Sequence, residues 1–273
     1  MGGYRPHRRG DPMTDQRARN GTADTYWLAG QHAVAAALRT GRVLSLGLVR
    51  GSRGLEDLAE TAARDGVRVE RLDRQEVQRR GGPQAQGCVA LVRRRPGQSV
   101  TALVERTAAH PTSLLVALDH IQDPQNLGAI ARSAECAGAD GLLLPSHRAC
   151  PVTAAAERVA AGAFDYLPWA VAPNLAQALD VCRRAGYWIF GLSMDGESVL
   201  GSSSLTAKTV LVVGAEGAGI GSLVRRHCDQ IVRLPLFGRI ESLNASVAVG
   251  IALYNWCQRF GQTNTLTSQS VYD

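Results

Sequence analysis

Three polar stretches in the second half of the sequence carry residues that could bind or polarise a reacting group. The first covers residues 118–132 (LDHIQDPQNLGAIAR), where an apolar run passes through a polar loop into a helical pattern. Asn126 stands where it can cap that helix, and Arg132 shares a flank with Gly128, which would leave a gap beside the guanidinium. A guanidinium is a strong partner for phosphate. Taken alone, the pattern is more typical of a capped helix with one solvated arginine.

The second stretch, residues 212–221 (VVGAEGAGIG), places glycines directly after an apolar strand pattern. Exposed backbone N–H groups in such a loop can approach a ligand closely. A dinucleotide-binding loop is the obvious alternative, but the glycine spacing differs from GxGxxG and the stretch lies late in the chain. We therefore disfavour a dinucleotide site.

The third stretch, residues 234–251 (LPLFGRIESLNASVAVGI), runs from a strand pattern through a turn into the last predicted helix. Ser242 and Asn244 can cap that helix, because hydroxyl and amide oxygens accept bonds from the first backbone N–H groups. The same groups at a helix start can instead orient a ligand. The sequence leaves both interpretations open for this stretch alone.

In this order and spacing, the three stretches resemble the signatures of the SpoU family of RNA 2′-O-methyltransferases, in the SPOUT superfamily. Those signatures are Asn-x-Gly-x-x-x-Arg, Gly-x-Glu-Gly and Ser-Leu-Asn-x-Ser. The segment around residues 152–175 looks like the branch that methylates a guanosine ribose in 23S ribosomal RNA, and the resemblance covers residues 26–260.

The resemblance implies an α/β fold whose C-terminal chain threads a trefoil knot, a rare exception to the expectation that chains do not thread loops. It also implies S-adenosyl-methionine as the cofactor, no metal, and a homodimer with sites near the subunit interface. The implied catalytic set is Arg132, Asn126, Glu216, Ser242 and Asn244. The implied cofactor-binding set is Gly214, Leu234, Leu243, Ser193, Met194, Ile220, Glu216 and Asn244.

Arg132 is the first candidate for catalysis in that set. Free arginine is a poor base because its pKa exceeds about 12, so we expect this residue to bind RNA phosphate and ease ionisation of the 2′-hydroxyl. Action of the arginine as the base itself remains an alternative.

Apolar runs alternate with helical patterns along the chain and predict an α/β architecture with a mostly parallel sheet. The predicted strands cover residues 43–49, 67–72, 87–92, 114–118, 141–144, 188–192, 210–213 and 231–234. The predicted helices cover residues 32–40, 55–65, 127–137, 153–162, 175–185, 222–228 and 243–260.

The predicted organisation has five parts. Residues 1–25 form a flexible basic arm, residues 26–93 a small α/β domain, residues 94–110 an exposed linker, residues 111–262 the methyltransferase domain, and residues 263–273 a flexible tail. The small domain looks like the ribosomal-protein-like, RNA-binding module of this branch. Its closing stretch has Ala85-Gln86-Gly87 where the branch carries His-Gln-Gly, which puts the role of that histidine in doubt.

Composition is compatible with these expectations. A net charge of +6 and a pI of about 9.3 favour an anionic partner such as RNA. The six cysteines form no CxxC pair, which favours reduced thiols, and the histidines His32, His120 and His147 are scattered without a carboxylate or cysteine partner at ligand spacing. No apolar run of about 18 residues is present, so we expect no membrane association and a cytoplasmic protein.

The leading interpretation is therefore 2′-O-methylation of structured RNA, with a guanosine of 23S ribosomal RNA as the expected target. Alternatives within the fold are an antibiotic-resistance enzyme that methylates another 23S nucleotide and a transfer-RNA ribose methyltransferase. Outside enzymes, the alternative is an RNA-binding ribosome-assembly factor. Retention of all five polar signature residues disfavours that last possibility.

Overall fold

A computed structural model describes residues 24–201, 205–240 and 242–261. The chain divides into two compact units between Arg95 and Pro96. The predicted C-terminal tail lies outside the described residues, as does the predicted basic arm except for its last two residues. Of those two, Thr25 already belongs to the first strand.

The first unit is a four-stranded sheet covered by helices. Its strands are β1 (Thr25–Ala29), β2 (Val43–Val49), β3 (Arg68–Leu72) and β4 (Cys88–Arg93), and its helices are α1 (Gln31–Arg39), α2 (Glu56–Arg64) and α3 (Arg74–Gly81). The strand order is β1-β4-β2-β3, with β2 and β3 parallel and the other pairs antiparallel. The sequence did not predict β1 or α3, and α3 is strongly polar with only Val77 buried.

The second unit contains a seven-stranded sheet in the order β7-β6-β5-β10-β8-β11-β9. Its strands are β5 (Ser113–Asp119), β6 (Gly141–Pro145), β7 (Trp169–Ala172), β8 (Trp188–Leu192), β9 (Ser198–Val199), β10 (Lys208–Gly214) and β11 (Gln230–Arg233). Every pairing in this sheet is parallel. The prediction of an α/β fold with a mostly parallel sheet is confirmed.

Helices cover both faces of this sheet. They are α4 (Val100–Thr107), α5 (Pro124–Cys136), α6 (Ala154–Val159), α7 (Ala163–Tyr166), α8 (Leu175–Arg184), α9 (Ser222–Arg225) and α10 (Ala245–Phe260). Side chains of β5 alternate between two hydrophobic cores: Leu114, Val116 and Leu118 pack with α5 and α10, whereas Leu115 and Ala117 pack with α4 and α8. Burial on both faces explains why the strands read as continuous apolar runs.

Two details of the predicted boundaries are wrong. The expected linker at residues 94–110 contains α4, which is capped by Ser99 and buries Leu103 and Val104. Helix α5 begins at Pro124 rather than at residue 127, and its cap is Asp123, whose Oδ1 accepts the N–H of Gln125 at 2.9 Å. Proline at the first helical position and aspartate before it are the standard start signal.

The sequence suggested that Gly128 leaves a gap beside Arg132, and this prediction is wrong. Gly128 is buried where α5 meets α6: a Cβ built there would lie 2.6 Å from the carbonyl oxygen of Ala156 and 2.6 Å from Cβ of Val159. The glycine therefore permits close helix packing. Arg132 is exposed elsewhere on the same helix.

Candidate active site

The polar signature residues lie in loops that follow the strands of the parallel sheet. Strand β5 ends at Asp119, β10 at Gly214 and β11 at Arg233, and the three signature stretches continue from these ends. Because parallel strands end at one edge, their following loops meet there and form the usual ligand-binding crevice of an open α/β sheet.

One residue from each stretch joins a hydrogen-bonded network at this edge. Oε1 of Glu216 accepts hydrogen bonds from Nδ2 of Asn126 at 2.9 Å and from Nδ2 of Asn244 at 2.6 Å. Nδ2 of Asn244 also lies 2.9 Å from Oδ1 of Asn126. The N–H of Ala245, the first residue of α10, is 3.4 Å from the same Glu216 oxygen. The carboxylate thus sits at a helix N-terminus, where the helix dipole favours negative charge.

The position of Asn244 confirms its expected role as a helix cap. Its Oδ1 accepts the backbone N–H of Ser246 at 2.9 Å and the hydroxyl of Ser246 at 2.6 Å. The amide oxygen therefore holds the helix start while the amide nitrogen serves the network. Asn126, the other predicted cap, instead uses its side chain only within the network.

A cleft of about 240 Å³ lies beside Glu216. It is lined by most of the predicted cofactor-binding residues, namely Ser193, Met194, Gly214, Glu216, Leu234 and Leu243, together with Ser242. Leu192 and Val213 add apolar wall, so the lining of the cleft combines apolar side chains with the Glu216 carboxylate. Apolar walls with few polar groups are typical of small-molecule sites.

Two predicted cofactor-binding residues do not line this cleft. Ile220 is buried in the core on the α4 and α8 side of the sheet. Asn244 stands between the lining residues Leu243 and Ala245 but directs its amide to Glu216 and Asn126. Asn244 therefore influences the cleft indirectly, through its hydrogen bond to the lining residue Glu216.

Gly214 shows why the second stretch needs glycine. A Cβ at this position would overlap the backbone of Gly219 and Ile220, because the loop after β10 folds back over the end of the strand. Ala215 and Gly219 form a β-bridge within this loop. Any side chain at Gly214 would push the loop away from the cleft.

Ser193 directly follows β8, the strand that pairs with β10, and lines the cleft. Its hydroxyl donates to Oδ1 of Asp195 at 2.6 Å, and Nη1 of Arg225 lies 3.0 Å from the same oxygen. The Ser193 hydroxyl, and then Arg225, hold the pKa of Asp195 below its usual range. Neither Asp195 nor Arg225 was singled out in the sequence, since an exposed acid and a helix arginine carry no local signal.

A second cavity adjoins the cleft and shares Ala215, Glu216 and Gly219 with it. Asn126 and His120 also line this cavity. The sequence shows no carboxylate or cysteine partner for His120 at metal-ligand spacing, but the structure pairs it with its neighbour Asp119. Its Nδ1 lies 2.7 Å from Oδ1 of the buried Asp119.

Two members of the predicted catalytic set, Arg132 and Asn244, line neither cavity, and of these only Arg132 lies outside the hydrogen-bonded network. Its side chain is exposed and makes no hydrogen bond or ion pair with the residues that the structure describes. Six residues separate it from Asn126, so on an ideal helix it points about 120° away and lies about 9 Å further along. The guanidinium is therefore free to meet an anion outside the network.

Two other features are absent from the described ranges. Groups of three or more histidine, cysteine, aspartate or glutamate side chains that could hold a metal ion are not found there. Within the same ranges, none of the helices has the length and apolar character needed to cross a bilayer.

Comparison with known proteins places this geometry in a family. The sequence model of the SpoU rRNA Methylase family matches residues 113–254. The chain is 38% identical over 234 residues to the 23S rRNA (guanosine-2′-O-)-methyltransferase RlmB of Pseudomonas aeruginosa, covering 82% of this chain and 93% of that protein. It is 36% identical over 236 residues to RlmB of Xanthomonas campestris, covering 84% and 94%.

Solved structures agree with the sequence matches. The SpoU methyltransferase AviRb from Streptomyces viridochromogenes, in complex with the cofactor AdoMet, superposes with a TM-score of 0.72 at 26% identity, covering 91% of this chain and 93% of that one. The predicted family and cofactor are thereby confirmed. This chain belongs to the SpoU rRNA methylase family of S-adenosyl-methionine-dependent RNA methyltransferases.

Proposed function

We propose that this protein methylates the ribose 2′-hydroxyl of a guanosine in 23S ribosomal RNA. The observation that carries methyl transfer is the network of Asn126, Glu216 and Asn244 beside an apolar cleft, since three separate signature stretches contribute to it. The choice of a 23S guanosine is supported by two relatives of that description, which match along 82% and 84% of this chain. An enzyme with this substrate would work in the cytoplasm.

The cleft fits S-adenosyl-methionine. Leu234 and Leu243 provide apolar wall for the adenine, Gly214 allows the backbone to approach, and Ser193 and Met194 line the cleft as well. When bound, the cofactor supplies a methyl carbon on a positively charged sulfur. Glu216 in the cleft lining suits that charge, because a nearby carboxylate stabilises a cation.

The chain's own residues would then orient the ribose and compensate its charge. We assign Asn126 and Asn244 to fixing the Glu216 carboxylate, Ser242 to the cleft wall, and Arg132 to the RNA phosphate. A guanidinium beside the ribose eases loss of the 2′-hydroxyl proton by stabilising the developing oxyanion. Holding the oxygen in line with the methyl carbon is an effect that can supply about 7–11 kcal/mol.

The trefoil knot belongs to the same proposal. Two features support it: the loop of residues 215–221 folds back on the end of β10, and the last helix starts from a loop hydrogen-bonded to that one through Glu216 and Asn244. A threaded chain would hold both loops rigid around the cofactor. Rigid loops keep a small-molecule site preformed.

We further propose that the first unit binds RNA. Its support is a surface cleft of about 420 Å³ between the end of β2 and the loop before β4. Arg74, Gln78, Gln84 and Gln86 line this cleft, and their side chains make no hydrogen bonds with other described residues. No carboxylate lines it. Unpaired amides and a guanidinium suit the base edges and phosphates by which structured RNA is bound.

Gln86 adds a second observation in this cleft. Its φ of 51° places a non-glycine residue in the left-handed region. Such strain costs about 1–3 kcal/mol and concentrates at functional sites. The unusual backbone presents the amide toward the cleft where the branch carries His-Gln-Gly.

A homodimer completes the proposal. Helix α10 exposes Val247, Ile251 and Tyr254, each about half accessible, along one side of its surface. Positions i, i+4 and i+7 form one helical stripe, and an exposed apolar stripe of this kind favours a second copy as its partner. Next to Arg132 on α5, Ser133 packs 3.9 Å from the position of a Cβ on Gly250. We propose that Arg132 reaches the site of the second copy.

The test is transfer of labelled methyl from S-adenosyl-methionine to separated transfer RNA, small-subunit RNA and large-subunit RNA, with mapping of the modified ribose. We expect label at a guanosine of 23S RNA. Label at another 23S nucleotide, or in transfer RNA, contradicts the proposed target while leaving the reaction type intact. Absence of label from every pool, with the cofactor bound, contradicts the proposed reaction on free RNA.

A further inference from the structure

His120 occupies an unusual position at the edge of the active site. It directly follows β5 and lines the cavity that also contains Asn126 and Glu216. Its φ of 62° lies in the left-handed region, which non-glycine residues seldom adopt. Strained backbone of this kind is retained where it aims a side chain at a functional position.

The buried carboxylate of Asp119 fixes the histidine ring. Oδ1 of Asp119 lies 2.7 Å from Nδ1 of His120, while Oδ2 accepts the backbone N–H of Gly221 at 2.7 Å. Asp119 is 1% exposed, whereas 41% of the His120 side chain is exposed. A carboxylate beside Nδ1 favours the tautomer that carries its proton there, which leaves Nε2 with a free lone pair.

Nε2 of His120 faces no competing partner among the described residues. The cavity that it lines continues into the cofactor cleft through the shared residues Ala215, Glu216 and Gly219. The charged groups around the ring are Asp119 beside it and Asp123 and Glu216 on the cavity wall, and no arginine or lysine lines the cavity.

We propose that His120 is the general base that removes the proton from the ribose 2′-hydroxyl, and that Asp119 is its positioning residue. This inference rests on the proposed methyl transfer. The 2′-hydroxyl proton passes to Nε2 and later to water, the oxygen forms a bond to the methyl carbon, and the carbon–sulfur bond breaks with its electron pair left on sulfur. The arrangement repeats the logic of a histidine oriented by a buried aspartate.

Other polar groups at the site are less suited to this step. Oε1 of Glu216 already accepts hydrogen bonds from Asn126, Asn244 and the backbone N–H of Ala245. This oxygen is therefore engaged with donors of the protein itself. Arg132 carries its proton at neutral pH and lines neither cavity.

The first experiment measures single-turnover methyl transfer to 23S RNA by full-length H120Q and wild type. Loss of a general base lowers such rates by about 10²- to 10⁴-fold, while cofactor affinity should stay within about twofold. His110→Gln is the matched control, since Nδ1 of His110 also faces a carboxylate, Asp140 at 3.3 Å, but before β5 at the opposite sheet edge. H120Q activity within about threefold of wild type overturns the proposal.

Two further measurements separate chemistry from structure. His120→Gly suits the left-handed backbone, so it should fold normally, and added imidazole should restore part of its activity. Nitrogen-15 NMR of histidine-labelled protein without ligands should show the Nδ1–H tautomer for His120. Absence of rescue in a folded H120G variant, or a dominant Nε2–H tautomer, contradicts the proposal. Wild type that methylates no RNA instead contradicts the proposed function.

Discussion

Oε1 of Glu216 lies 2.6 Å from Nδ2 of Asn244, which joins the second and third signature stretches across 28 residues of sequence. The contact gives Asn244 two tasks, because its Oδ1 simultaneously caps α10 through the N–H of Ser246. Substitutions at this position can separate the two tasks. The fold depends on the cap, and the site depends on the amide nitrogen.

Replacing Asn244 by serine should preserve the fold and damage the site. Serine caps helices about as well as asparagine, so the free energy of unfolding should change by only a few tenths of a kcal/mol, whereas alanine should lower it by about 1 kcal/mol. Neither residue carries the amide nitrogen that donates to Glu216. Loss of a bond to a charged group should cost about 1.5–3 kcal/mol, roughly tenfold or more in cofactor Kd, in both variants.

Calorimetric titration with S-adenosyl-methionine and urea unfolding distinguish the two effects. N244S with unchanged cofactor affinity would contradict a role for the network in binding. Equal destabilisation by serine and alanine would contradict the assignment of Asn244 as the cap.

Adding a methyl group at Gly128 should destabilise the second unit. The new Cβ would lie 2.6 Å from both the Ala156 oxygen and the Val159 Cβ, so α5 and α6 must separate. Overpacking of this kind costs about 1–3 kcal/mol.

Gly250 on α10 is the matched control for Gly128. A Cβ there would find Ser133 Oγ at 3.9 Å, an ordinary contact, so the gain in helix propensity should stabilise G250A by up to about 1 kcal/mol. Urea unfolding of both variants measures the difference. A G128A variant as stable as G250A would contradict the packing described for α5.

The sequence predicted the second unit well because its strands are buried on both faces. Apolar runs around Val116, Leu143 and Val212 mark fully covered strands, and their positions coincide with β5, β6 and β10. The short strand β7 (Trp169–Ala172) was missed although its residues are apolar, and other missed elements lack such patterns. Helix α3 (RQEVQRRG) has no apolar stripe by which the sequence could show it. It is stabilised instead by the Asp73 cap and by the ion pairs of Arg80 with Glu76 and Glu70.

The candidate site was predictable only as far as its motifs extend. The signature residues Asn126, Glu216 and Asn244 were singled out together, and the structure joins them by hydrogen bonds. The pairing of His120 with Asp119 was missed because neighbouring side chains in an extended chain point apart, and only the left-handed turn brings these together. Backbone strain of this type leaves no sign in the sequence.

The surface cleft of the first unit should contribute to RNA affinity. Removing Arg74 and Gln78 together (R74A/Q78A) should raise the Kd for 23S RNA by about tenfold and reduce the salt slope of binding by about one. Arg64→Ala is the control, because Arg64 lies on α2 in the same unit and donates to Thr61 at 3.2 Å outside the cleft. Filter binding across a salt series measures both quantities. Equal losses in the cleft variant and the control would indicate nonspecific attraction.

Buried thiols should make the fold sensitive to alkaline pH. Burial raises the pKa of Cys88 to about 11 and those of Cys182 and Cys228 to about 12, against an ordinary value of 9.0. Above pH 9.0 the unfolded chain therefore loses thiol protons that the folded chain keeps. Because the folded pKa is raised, their stabilising contribution is complete below the ordinary value and is lost as pH rises through the folded values.

Two measurements check this alkaline sensitivity. The free energy of unfolding in urea should fall as pH rises above about 9. At pH near 8, iodoacetamide should modify the exposed Cys136 well before Cys88 and Cys182, which are buried. Modification of Cys182 as fast as Cys136 in folded protein would contradict the burial described for α8.

Mixed dimers should show whether Arg132 acts in its own subunit or across the interface. R132A and N244A should each be nearly inactive as homodimers, R132A with cofactor binding retained. If Arg132 serves the second copy, a mixed dimer has one site with both defects and one intact site. Random exchange of equal amounts makes about half of the dimers mixed, so activity should recover to about one quarter of wild type.

If Arg132 serves its own subunit, every site in the mixture lacks one residue. Failure to recover activity despite verified subunit exchange would therefore place the guanidinium in the site of its own chain, and Arg132 would have to reach back along α5 toward Asn126.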